Sequence, residues 1–178
     1  MKENQVKKLV MAAMCVALGI VLPTAFHTIQ NAGSIFLPMH IPVLICGLLC
    51  GWQYGLICGI LAPVLSSLFT GMPPAAILPA MLCELAVYGL ITGICVYGIH
   101  TEKQIVKIYG SLITAMLAGR IVSGILKALI FNVGEYSFKI FITSSFLTGI
   151  PGILIQLIFI PVIVLALQKA GIAEPKRR

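Results

Sequence analysis

Glu84, Arg120 and Lys127 stand inside long apolar runs, and chemistry is looked for there first. A charged side chain at the centre of a membrane helix costs at least about 2.5–3.5 kcal/mol, so its presence points to a partner or a ligand. Arg120 and Lys127 are seven residues apart, which sets them on one helix face with Ser123 and Gly124 between them. At 1.5 Å per residue Glu84 lies about 12 Å, Arg120 about 16 Å and Lys127 about 6 Å below one membrane face. Gln156 falls at about the depth of Glu84, and His40, between Pro38 and Pro42, is placed near the mouth. One carboxylate, two cations, an amide and an imidazole make a polar pocket suited to holding a small solute. A second reading also stands, in which Glu84 and Arg120 form a buried pair that fixes helix packing while Lys127 snorkels to the interface.

Sets of residues that would carry out catalysis are missing. There is no aspartate, so an intramembrane aspartyl protease is excluded. No HExxH or serine–histidine pattern appears, and no G-x-x-x-x-G-K-[ST] loop is present to cradle ATP. The six cysteines all lie in apolar runs without CxxC or Cys/His spacing, so neither a zinc site nor a disulfide framework is expected. No metal and no cofactor is expected.

The elements that position these residues follow from composition. The chain is 60% hydrophobic and 10% charged, with a mean hydropathy of +1.08. Soluble domains carry about 25% charged residues. An all-α integral membrane protein of one domain, 1–178, is therefore expected. The net charge of +7 does not indicate nucleic acid, because no basic stripe is interleaved with stacking aromatics.

Apolar segments near 8–26, 76–99, 108–131 and 146–168 each have the length of a membrane span. The first begins with lysines, as a signal peptide does, but lacks a small-residue cleavage site and is read as a retained helix. The stretch 35–70 is too long for one span, since a single helix of that length would measure about 54 Å. Charge settles how it folds. Lys2, Lys7 and Lys8 precede the first span, and Lys169, Lys176, Arg177 and Arg178 follow the last. Both ends then prefer the cytoplasm, which requires an even number of crossings. A hairpin of 37–51 and 54–70 gives six transmembrane helices and also sets Lys103 and Lys107 inside, leaving Lys139 as the single basic loop residue outside. Trp52, Tyr54, Tyr97 and Tyr109 then fall at the inner boundary, and Gly47, Gly51, Gly55 and Gly59 flank the turn as close-packing positions. The outer loops, 27–42, 70–79 and 132–145, are weakly charged and carry prolines at 38, 42, 73, 74 and 79. Those prolines are expected to prevent regular helix and to stiffen the loops into a structured lid.

With "LPMHIPVLICGLLCGWQYGL", "SSLFTGMPP", "ELAVYGL", "AGRIVSGI" and "PGILIQLIFIPVI", the chain resembles the substrate-capture (S) component of energy-coupling-factor (ECF) vitamin transporters over nearly its whole length. Its first helix also carries that family's A-x-x-x-A motif at Ala13 and Ala17. The resemblance implies capture of a scarce vitamin or precursor from outside, in a pocket under the outer loops. It implies a membrane coupling (T) subunit bound at Ala13 and Ala17, two ATPase subunits that drive transport, and residence in the cell membrane. Pantothenate and the lower-ligand precursors of cobalamin are both compatible ligands. The surplus positive charge of Arg120 and Lys127 over Glu84 favours a small anion; neutralisation of Arg120 by Glu84 makes a neutral nitrogen heterocycle equally suitable. Two other classes stay in view: a small intramembrane enzyme using Glu84 as base and Arg120 on a lipid phosphate, and a structural subunit without a ligand.

Overall fold

The stretch 35–70 is broken at Gly51, whose φ of 102° and ψ of 176° form a combination open essentially to glycine alone. In the computed structural model, which describes residues 2–25, 32–130, 143 and 149–172, the helices on either side are α3 (His40–Cys50) and α4 (Trp52–Thr70). They fold back on each other around this residue: a methyl group on Gly55 would meet the Cα of Gly47 at 2.8 Å. The other helices are α1 (Lys2–Ala25), α2 (Ala32–Phe36), α5 (Leu78–Gly98), α6 (Gln104–Ile130) and α7 (Ile150–Lys169). The described residues contain no strand.

Five of these helices, α1, α4, α5, α6 and α7, are long and apolar enough to cross a membrane. Within the segment expected to span at 37–51 the helix is the 11-residue, apolar α3, about 16 Å long. Its late start has a local cause. Leu37 takes a left-handed φ of 51° and Pro38 follows it, so no helix can run continuously from α2 into α3. α2 turns aside and lies over the start of α7, where a methyl group on Gly152 would come within 2.7 Å of the Ile35 carbonyl oxygen.

Two prolines expected to exclude helix do the opposite. Pro42 sits in the first turn of α3 and Pro79 in the first turn of α5, where a missing N–H costs nothing because those donors have no intrahelical acceptor. Pro73 and Pro74 do lie in the connection between α4 and α5. The lid positions 27–31, 132–142, 144 and 145, and also Lys176, Arg177 and Arg178, fall outside the described residues.

The glycines explain how the bundle closes. A methyl group on Gly59 would fall 2.6 Å from the Leu85 carbonyl carbon, and one on Gly93 would fall 2.7 Å from that of Gly51. α4 and α5 therefore cross backbone against backbone, as small residues four apart allow. α5 is the central helix, packed by α3, α4 and α6, with Leu85 and Tyr88 wholly buried beside Leu44 and Leu112. Val6, Leu18, Leu68, Ile121 and Val162 point outward and are exposed. An apolar exterior over a closely packed interior suits lipid as the surrounding solvent.

Candidate functional site

Glu84 and Tyr88 lie one turn apart on α5 and face the same way. The Tyr88 hydroxyl donates a buried hydrogen bond to Glu84 Oε1 at 3.2 Å. His40, the first residue of α3, brings Nε2 to 3.6 Å from the same oxygen. Its ring also meets Tyr88 edge-on, with centroids 5.3 Å apart and planes at 65°. The break at Leu37 and Pro38 is what makes this possible, because it starts α3 at His40, against Glu84. His40 is buried, 2% exposed.

α6 reaches this group because residue 119 has no side chain. A methyl group on Gly119 would run into the Tyr88 ring and lie 3.1 Å from the Glu84 carbonyl oxygen. The next residue, Arg120, is buried beside the Tyr88 hydroxyl. Its guanidinium also lies over Gly149, where a methyl group would be 3.0 and 3.2 Å from the two terminal nitrogens. Arg120 and Lys127 are both within electrostatic reach of Glu84. Lys127 is half-buried, two turns further towards the end of α6.

α7 contributes Gln156, its seventh residue as Glu84 is the seventh of α5, on a helix that packs against α3 and α6. Gln156 is 1% exposed, yet neither its oxygen nor its nitrogen has a hydrogen-bond partner among the described residues. The same holds for the Ser123 hydroxyl and for His40 Nδ1. A buried polar group left unsatisfied costs about 1–3 kcal/mol. Among the described residues no group of three or more His, Cys, Asp or Glu is arranged to hold a metal ion.

The structure therefore brings His40, Glu84 and Arg120 together, buries Gln156 on α7, and has Lys127 nearer the end of α6. Ala13 and Ala17 lie apart from them, exposed on α1. Sequence reasoning overlooked Tyr88, which joins His40 to Glu84, and Gly119 and Gly149, which make room around it. The spacing of four between Glu84 and Tyr88 was the available signal, since such pairs are neighbours on a helix.

An apolar helical bundle that buries ionisable side chains at its centre defines a class: membrane proteins with a polar interior. Within that class the chain belongs to the family of ECF transporter substrate-specific components, whose family model matches residues 7–167. No curated protein and no solved structure matches the chain. It is thus a multi-pass membrane protein from a family of transport components that bind substrate, and not from a family of enzymes.

Proposed function

We propose that the chain is the capture subunit of an ECF-type vitamin uptake transporter in the cell membrane, binding a small water-soluble anion of the vitamin or vitamin-precursor class. The carrying observation is the set of buried atoms that have no hydrogen-bond partner among the described residues, Gln156 Oε1 and Nε2, Ser123 Oγ and His40 Nδ1, in the bundle that also buries Glu84 and Arg120. Glu84 stands against Arg120 and Lys127, a surplus of positive charge that a carboxylate of the ligand offsets. Pantothenate has that carboxylate together with amide and hydroxyl groups for Gln156 and Ser123. A benzimidazole precursor of cobalamin, uncharged, would use His40 and Gln156 and leave the surplus charge uncompensated.

In this reading α3 and α4 together make the second and third of six crossings, with both chain ends in the cytoplasm. The basic residues at the chain ends and at Lys103 and Lys107 support that orientation. The polar site then opens to the exterior half of the bilayer. A membrane coupling subunit docks on α1 at Ala13 and Ala17, where small exposed side chains permit close helix contact, and two ATPase subunits supply the energy.

Thermal unfolding of the purified protein across a panel of vitamins and precursors tests the proposal. A true ligand at a hundred times its dissociation constant adds about 2.7 kcal/mol of stability. A panel including pantothenate, dimethylbenzimidazole and its riboside in which nothing raises the transition would defeat it.

A further inference from the structure

The opposite end of the bundle holds a cavity of about 490 Å³ that the substrate site does not use. It is lined by Lys8 of α1, the α3–α4 turn from Cys50 to Tyr54, and Ile94 and Tyr97 of α5. That volume lies within the range of small-molecule sites. Its chemistry is one-sided: one ammonium, the amide of Gln53, the indole N–H of Trp52, two phenols and, among the described residues, no acidic side chain. Trp52, Ile94 and Tyr97 are each about half exposed, forming an apolar wall that continues onto the outer surface of the bundle.

We infer that this cavity is a binding site for the headgroup of an anionic phospholipid. The phosphate pairs with Lys8 and accepts hydrogen bonds from the indole and phenol donors, while the acyl chains follow the wall past Ile94. Tryptophan and tyrosine collect at the depth of lipid headgroups, and a basic pocket between helices at that depth recognises anionic ones. The three aromatic rings resemble a cage for a choline ammonium, but Lys8 in the same cavity repels a second cation and so selects against it. α3 and α5 end here while α4 begins here, so two negative helix ends and one positive end face the cavity, and Lys8 is the one full charge among its described lining residues. This assignment is independent of which solute the polar site holds.

Trp52 is the only tryptophan of the chain and lines the cavity, so its fluorescence reports occupancy directly. The full-length protein is reconstituted in phosphatidylcholine vesicles doped with brominated phosphatidylglycerol or, separately, brominated phosphatidylcholine. Brominated phosphatidylglycerol is expected to quench Trp52 with about fivefold preference, the worth of one well-placed lysine near a charged lipid. Lys8→Ala removes that preference and Lys103→Ala, which is not among the residues that line the cavity, keeps it. Equal quenching by the two lipids in the parent protein overturns the inference whether or not any variant folds. So does a preference that survives Lys8→Ala, or quenching relieved by free glycerol phosphate, which would mark a soluble phosphate ligand in place of a lipid.

Discussion

Tyr88 and His40 meet edge-on at 5.3 Å while both approach the same oxygen of Glu84. A phenol on α5 and an imidazole on α3 thus hold one carboxylate at a fixed rotamer, one through a hydrogen bond and the other through charge or dipole. The carboxylate is thereby oriented before any solute arrives, which reduces the ordering cost of binding. Tyr88→Phe removes the hydrogen bond and leaves the ring contact. It is expected to destabilise the ligand-free protein by about 1.5–3 kcal/mol, the worth of a hydrogen bond to a charged group. Thermal unfolding measures it, and an unchanged transition would show that Glu84 needs no such support.

Arg120→Ala is expected to weaken ligand binding by about 2–5 kcal/mol, as removal of one partner from a buried charged contact does. The variant still inserts and folds, because Gly149 and Tyr88 pack around the guanidinium without depending on it for backbone support. Ligand-induced stabilisation of the purified variant is the measurement. Affinity equal to the parent's would reassign Arg120 to a structural pair with Glu84.

The charged members of the site were legible in the sequence because ionisable residues in apolar runs are costly wherever they lie. Tyr88 was not, because a tyrosine in such a run reads equally well as an interfacial anchor, the role given to Tyr54, Tyr97 and Tyr109. The contact of His40 with Glu84 was hidden for a different reason. It depends on the left-handed backbone of Leu37, a conformation no residue type at that position announces. The break in 35–70 was readable from length and charge, and the glycines beside it from their spacing. Pro42 and Pro79 misled because proline forbids helix interiors but suits first turns, and only the helix boundaries distinguish the two cases.

Gly51→Ala puts a side chain on a backbone at φ 102° and ψ 176°. The expected loss is about 1–3 kcal/mol, the range for residues held in such sparsely populated regions. Unfolding of this variant should show a lowered transition with an unaltered ligand preference, since the turn lies at the far end from Glu84 and Arg120. A transition matching the parent's would mean that the α3–α4 turn relaxes freely.

Gly55→Ala tests the crossing of α4 and α5. The added methyl meets Gly47 Cα at 2.8 Å and the Gly89 carbonyl carbon at the same distance, both of them backbone atoms with little freedom to move. Overpacking of this kind costs about 1–3 kcal/mol. Gly98→Ala is the matched control: nothing lies within 4 Å of its added methyl, so it should be neutral or stabilising by up to about 1 kcal/mol. Equal effects from the two substitutions would show that helix propensity, not close approach, governs these positions.

Ala13→Trp and Ala17→Trp separate capture from coupling. Both alanines are exposed on α1, whose buried side is formed by Ala12, Cys15 and Gly19, so an indole at either position meets no part of this chain's core. Ligand-induced stabilisation is therefore expected to equal the parent's. A partner helix that approaches closely at small residues has no room for the added ring, and co-purification with the membrane coupling subunit should be lost. Serine at the same positions keeps the small volume and should keep the complex. Intact assembly of both tryptophan variants would move the coupling surface elsewhere on the bundle; loss of ligand stabilisation in either would show that α1 also shapes the polar site.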